Sequence, residues 1–253
     1  VGCVIVKNDE IISIGQTSYN GRPHAEYNAL KNSYEKLEGS KMYVTLEPCN
    51  HYGQTPPCTN KIIKNKISEV LYSIEDIDIK VKGKSFKILK SNNIIVKKNL
   101  LKKNVSIFYK PYFFNRKNKM PYVVGKIAVS KNNQIFNKNK KKITDVHSDQ
   151  LTHFLRYKND SVMISYKTLN SDNPKLNCRL KGFSKFSPKR IILDKNLEIK
   201  INSYIYKTVN KNNTIVFYKY GKKSKISLLK KKGINLIKSN LIKDKYFDLK
   251  LIL

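Results

Sequence analysis

In TLEPCNHYGQTPPC, Thr45–Cys58, two cysteines stand nine positions apart, each directly after a proline, and this pair constrains the chain more than any other feature. A second short stretch, PHAE at Pro23–Glu26, adds a histidine and a carboxylate. Zinc in a catalytic site takes three protein ligands drawn largely from His and Cys and leaves a fourth position for water. His24, Cys49 and Cys58 form such a set, of the imidazole and thiolate kind that suits zinc. If they share one ion, the fold must carry residues 24, 49 and 58 to a single point.

Glu26 lies two residues beyond His24 at the start of a predicted helix, where its carboxylate can face the ion's open position without being a ligand. A carboxylate so placed can take a proton from water and pass protons to a ring nitrogen and a departing amine. His-x-Glu followed by Pro-Cys is the pattern of the zinc nucleobase deaminases. His51, between the cysteines, has two readings: it faces substrate, or it supplies the fourth ligand of a purely structural zinc.

Around these motifs the chain alternates strand-like and helix-like segments, which argues for layered α/β architecture. VGCVIV and IISIG flank a polar Asn-Asp turn, and a helix is predicted from about Pro23 with Ala25, Ala29 and Leu30 on one face. KMYVT reads as a strand, the stretch after Pro57 as a helix through Ile62, Ile63 and Ile67, EVLYSI as a strand, KSFKILKS as a helix and NIIVK as a strand. A first domain over residues 1–118 follows, with the polar segment FFNRKNKM (Phe113–Met120) as linker. PYVVGKIAVS then opens a second domain, 119–253, as a strand. A helix near Ser148–Arg156, strands SVMIS, RIILD and TIVFY, a helix near Ser227–Lys231 and INLIK continue it. Val1 already reads as strand, and DLKLIL breaks off inside an amphipathic pattern. A native start upstream and an incomplete second domain are therefore expected.

A net charge of +33 invites a nucleic-acid reading. The charge is nearly all lysine and runs from Lys7 to Lys250 without clustering, so a solvated surface explains it and no specific nucleic-acid partner is expected. No apolar run reaches the roughly 20 residues of a membrane helix, so no membrane partner is expected. The 4 cysteines make no disulfide framework, which points to a reducing cytoplasmic setting. A homo-oligomer is compatible with all of this.

Eight residues separate the cysteines, where cytidine and tRNA-adenosine deaminases carry Pro-Cys-x-x-Cys. In this longer form, with VGCVIV before it and Val81-Lys82-Gly83 after it, the chain resembles the deaminase domain of the bifunctional deaminase/reductase family of riboflavin biosynthesis, RibD. The resemblance implies a cytidine-deaminase-like three-layer α/β/α domain followed by a truncated dihydrofolate-reductase-like α/β domain. It implies zinc and NADPH as cofactors and a small pyrimidine ribosyl phosphate as substrate. The first domain would deaminate 2,5-diamino-6-ribosylamino-4(3H)-pyrimidinone 5′-phosphate, and a complete second domain would reduce its ribosyl group.

Residue by residue, KIAVS resembles the reductase's opening strand, with Ala128 against the cofactor. ITDVHSDQLTHFLR resembles its first helix, ending on Arg156. SYKTLNSDNPKLNCR resembles a loop in which Thr168 and Asp172 meet NADPH while Leu176 and Arg179 meet substrate. Arginine at Arg156 and Arg179, in a chain that uses lysine nearly everywhere, suits bidentate recognition of a phosphate.

The chain also departs from the family. Gln54 stands for Lys or Arg, and Asp76-Ile77-Asp78-Ile79 stands for Asp-Pro-Asn-Pro. Lys140-Lys141-Lys142 precede Ile143-Thr144 where Ser-x-Trp is usual. Asn132-Asn133 stand for Asp-Gly, and Lys195 for Ser. The family's glycine-rich phosphate segment would fall beyond residue 253, so the reductase half of this chain is expected to be inactive. Two rivals stand beside this reading: a zinc deaminase of another base or nucleoside, and a decayed deaminase kept as a zinc-stabilised module.

Overall fold

A computed structural model describes residues 1–135, 143–210 and 212–253. The chain divides into two compact units, Val1–Val123 and Val124–Leu253. The expected Lys140–Lys142 departure lies outside the described residues.

The first unit opens with a hairpin, β1 (Gly2–Lys7) and β2 (Glu10–Gln16). Asn8 and Asp9, the two turn residues, have φ of 50° and 62°. Both lie in the left-handed region that a two-residue hairpin loop needs, and short polar side chains tolerate it best. Helix α1 (Ala25–Lys31) follows, then β3 (Lys41–Leu46), α2 (Cys58–Lys64), β4 (Glu69–Ile74), α3 (Lys84–Ser91), β5 (Ile95–Lys98) and α4 (Lys102–Asn118). The sheet order is β2-β1-β3-β4-β5, with β1 antiparallel to β2 and β3, and β3, β4 and β5 mutually parallel.

Ile5, Ile12, Met42, Val44, Val70 and Tyr72 from the strands form one core with Ala25 and Ala29 of α1, Ile62 of α2 and Leu89 of α3. Ile67, predicted at the end of the second helix, lies beyond α2 but stays buried in this core. Burial of apolar surface of this kind is the main favourable term holding helices to sheet.

The predicted linker is a helix instead. Phe113–Asn118 form the last turns of α4, and Tyr109, Tyr112 and Phe113 close over Leu46 and Ile74 at the ends of β3 and β4. Aromatic residues at positions i, i+3 and i+4 share one helix face, and that stripe outweighs Pro111 within the helix and the polar tail after it. Lys119 ends the helix at φ 57°, donating its N–H to the Asn115 carbonyl.

The second unit contains α5 (Val146–Lys158), β6 (Ser161–Ser165), α6 (Tyr166–Asp172), β7 (Lys189–Leu193), α7 (Tyr204–Lys207), β8 (Thr214–Tyr218), α8 (Lys223–Lys231) and β9 (Asn235–Lys238). A two-stranded piece, β10 (Leu241–Ile242) with β11 (Tyr246–Phe247), and α9 (Leu249–Ile252) complete it. The sheet is parallel throughout, ordered β6-β7-β8-β9. Leu169, Ile192, Ile199, Ile205, Val216 and Leu229 are fully buried at its centre. Both units are α/β, as the alternation of segments implies.

Two expectations fail in this unit. PYVVGKIAVS carries no strand, and Val123, Val124, Ile127 and Val129 along it are exposed. Apolar patterning measures readiness to pair, whereas a strand exists only where another backbone meets its N–H and C=O groups. The segment after Ser165, expected as a loop, begins as α6: Ser165 caps it by accepting from the Thr168 N–H, and Leu169 anchors it in the core. Only its Asn-Pro-containing second half is irregular.

One contact ties this packing to the motifs. A Cβ built on Gly15 of β2 falls 2.2 Å from the Ala25 carbonyl oxygen and 2.4 Å from the Ala29 nitrogen, so α1 lies directly on the strand backbone. Ser13 Oγ donates to the Ala29 carbonyl at 2.6 Å and Asn28 Nδ2 to the Gln16 carbonyl at 2.7 Å, fixing the helix along the strand. Gly15→Ala must push α1 outward. Urea unfolding is expected to show a loss of about 3 kcal/mol or more, in the upper range for an overpacked site.

Candidate metal centre

The ends of three elements meet at the site. His24 is the residue before α1, Cys58 is the first residue of α2 behind Pro57, and Cys49 lies three residues past the end of β3. His24 Nδ1 is 3.4 Å from Cys49 Sγ and 3.4 Å from Cys58 Sγ, and the three donor atoms lie within 4.8 Å of one another. A tetrahedral zinc with ordinary Zn–N and Zn–S lengths separates its nitrogen and sulfur ligands by about 3.5 Å. The donor set and its spacing fit that ion. His51 is not in this group. A fourth protein ligand is thus lacking among the described residues, as a site with an open position requires.

The electrostatics favour a thiolate at one of the two cysteines. The Cys49 thiol is pulled down to about 4 by the Cys58 side chain, helped by His24 and by the Cys58 backbone N–H, which donates to Cys49 Sγ at 3.3 Å. The Cys58 thiol is pushed up by sharing hydrogen-bonding with Cys49, by burial and by the nearby Glu26. Glu26, in the first turn of α1, is only 3% exposed. Burial pushes its carboxyl up, while its own backbone N–H and His24 act in the opposite direction. A buried carboxyl whose neutral form is favoured, beside cysteine and histidine donors, has the character of a proton carrier.

Residues that the motifs did not single out hold this arrangement. Glu47, buried just before Pro48-Cys49, accepts three backbone N–H groups: Asp76 at 3.3 Å, Gly83 at 3.1 Å and Ser85 at 3.3 Å. Ser85 Oγ donates to the Pro48 carbonyl at 2.5 Å. The end of β3 is thereby fastened to the start of α3, which sets where Cys49 leaves the sheet. Glu47 stands inside TLEPC, but its three partners are 29 to 38 residues away, so only the fold reveals its role. The Arg22 guanidinium lies against the outer nitrogen of His24 and donates to Thr55 Oγ1 at 3.2 Å. Asn50 Oδ1 and His51 Nδ1 are buried with no protein partner. Asp76, which opens the altered stretch Asp76–Ile79, receives the Asp78 N–H and the Tyr112 hydroxyl on its carboxylate.

The residues assigned by resemblance to the second unit are dispersed. Ala128 is half-buried in the segment that carries no strand, and Thr168 and Asp172 are exposed in the first and last turns of α6. The Leu176 side chain is buried in the core. Arg156 and Arg179 come together at Asn177: Arg156 Nη1 donates to its carbonyl and Arg179 Nη1 to its side-chain oxygen, both at 3.1 Å.

Comparison with known proteins agrees with this geometry. Residues 1–74 match the cytidine and deoxycytidylate deaminase zinc-binding region, and residues 121–253 match the RibD C-terminal domain. The riboflavin biosynthesis protein RibD of Aquifex aeolicus is 32% identical over 239 residues, covering 94% of this chain and 66% of that protein. A diaminohydroxyphosphoribosylamino-pyrimidine deaminase of Buchnera aphidicola from Acyrthosiphon pisum is 46% identical over 121 residues, 48% of this chain and 82% of that one. Among solved structures, Acinetobacter baumannii RibD superposes with a TM-score of 0.81 at 30% identity, covering 96% of this chain and 68% of that chain. The Thermotoga maritima deaminase/reductase gives 0.77 at 28% identity, covering 99% and 76%. The chain spans 56 to 66% of the length of the first four full-length curated relatives. On a family model covering the second unit and relatives spanning nearly all of both, the chain belongs to the RibD family.

Proposed function

We propose that the first unit is a zinc-dependent deaminase that hydrolyses the ring amine of 2,5-diamino-6-ribosylamino-4(3H)-pyrimidinone 5′-phosphate, releasing ammonia. The observation that carries this reading is the convergence of His24, Cys49 and Cys58 beside a buried Glu26. Zinc held by those three donors supplies a Lewis acid that makes water nucleophilic near neutral pH. Glu26 takes a proton from the attacking water and delivers protons to the ring nitrogen and to the leaving amine. The exchange balances as water and a C–NH2 group giving a carbonyl and ammonia. His51 and Asn50, whose buried Nδ1 and Oδ1 meet no protein group, lie beside Cys49 and suit the polar edge of an aminopyrimidinone.

The second unit, on the same reading, corresponds to the NADPH-dependent reductase module that, in a complete family member, converts the ribosyl group to ribityl. Ala128, Thr168 and Asp172 are on its cofactor side, and Leu176, Arg156 and Arg179 on its substrate side. A cytoplasmic setting suits four free cysteines, and among the described residues no helix is long and apolar enough to cross a membrane.

Two experiments test the deaminase. Purified protein is expected to hold about one zinc per chain, and Cys58→Ser to lose it; stoichiometric metal in that variant would require another ligand set. Glu26→Gln is expected to keep the zinc while ammonia release falls by ~10² or more, the scale of a lost general acid/base. Ammonia release from the pyrimidine phosphate, measured beside cytidine and a tRNA anticodon stem, separates this substrate from those of related deaminases.

A further inference from the structure

Helix α5 and the segment Asn177–Arg179 are joined by more than the two arginines. His153 is buried, and its Nδ1 accepts the backbone N–H of Arg179 at 3.2 Å. Its backbone carbonyl faces Cys178 Sγ at 3.5 Å, and that cysteine is fully buried. One helical turn on, Arg156 reaches the Asn177 carbonyl. Cys178 N–H donates in turn to Ser187 Oγ at 3.0 Å. Three successive residues, 177, 178 and 179, are thus each tied to side-chain or backbone atoms of α5. Among the described residues, the hydrogen bonds of both guanidiniums go to Asn177 and none goes to a carboxylate. Two cations held side by side with donors to spare form a seat for a tetrahedral dianion.

We propose that His153 is a positioning residue: its unprotonated Nδ1 clasps the Arg179 backbone to α5, and this clasp sets Arg179 beside Arg156 so that the pair can grip a phosphate. The inference rests on the reading that Arg156 and Arg179 hold the substrate's phosphate. A ring carrying protons on both nitrogens cannot accept the Arg179 N–H, so protonation opens the clasp. The groups facing His153 oppose protonation on balance. Burial and the Arg179 and Arg156 guanidiniums push its pKa down from 6.5, against the Asn177 carbonyl and Asp149. The folded ring is therefore less basic than a free one. The clasp's contribution is complete above the free-ring value near 6.5 and declines as the pH falls through and below it.

The sign of the pH effect is the test. Sulfate is divalent across this range, so its own charge does not change. Added positive charge on His153 would by itself tighten sulfate binding in acid, whereas an opened clasp loosens it. Sulfate titrations of the full chain, followed at the Asn177–Arg179 backbone amides by NMR at fixed ionic strength, are expected to show weaker binding at an acid pH where the His153 ring resonances report protonation than at pH 7.5. His153→Ala is expected to bind about tenfold more weakly at pH 7.5, the scale of one lost hydrogen bond. Its profile should be flat with pH, which also separates His153 from His147 on the same helix. His153→Asn, whose Oδ1 can accept where Nδ1 stood, should recover most of the affinity and also be flat. Equal or tighter sulfate binding by the native chain at a pH where His153 is protonated overturns the clasp without any variant. Native affinity in His153→Ala overturns it as well. Unchanged sulfate affinity in both Arg156→Ala and Arg179→Ala would instead remove the phosphate reading of the arginine pair.

Discussion

The close seating of α1 on β2 at Gly15 is the contact on which the candidate metal centre depends. With no Cβ at that position, the helix backbone rests against the strand backbone, and Ser13 and Asn28 fix it lengthwise. His24 stands at the start of that helix and Glu26 in its first turn, so their positions follow from where α1 lies. A ligand sphere tolerates displacements of only a few tenths of an ångström. The demand for one absent methyl group on a strand and the demand for a coordination geometry are therefore one demand.

The other two ligands are placed by different means. Cys58 opens α2, whose Ile62 is fully buried. Cys49 is on a loop, and loops wander unless something ties them. Glu47 is that tie: a single buried carboxylate collects three amides from the 76–85 segment and fixes the exit of β3. The second unit applies the same device on a smaller scale, with His153 collecting the Arg179 amide. In each unit a buried side chain accepts backbone N–H from a distant segment and so fixes where that segment runs, because an unmet buried amide is costly and the chain adjusts to meet it.

Much of this was legible beforehand. Most strands from β1 to β8 coincide with runs rich in β-branched residues, because burial in a sheet selects those residues. The ligands were readable because metal chemistry restricts them to a few residue types in a fixed order. The polar-looking FFNRKNKM was misjudged, since its helix is held by aromatic residues reaching Leu46 and Ile74, which are remote in sequence. PYVVGKIAVS was misjudged for the converse reason: its pattern describes one strand and carries no information about a neighbour. Leu176, read by resemblance as a substrate contact, packs in the core at a left-handed backbone position that its sequence did not announce.

By itself, the sequence determined the α/β alternation, the identity of the His24, Cys49, Cys58 and Glu26 set, and the chemistry those groups support, because each depends on residue type and local spacing. Only the tertiary structure decided that the three donors converge while His51 stays outside, that Glu47 and His153 hold the segments beside them, and that α4 extends through the supposed linker. Those outcomes depend on which distant backbone groups and side chains come into contact, and pairing across the fold has no signature in the order of residues along one segment.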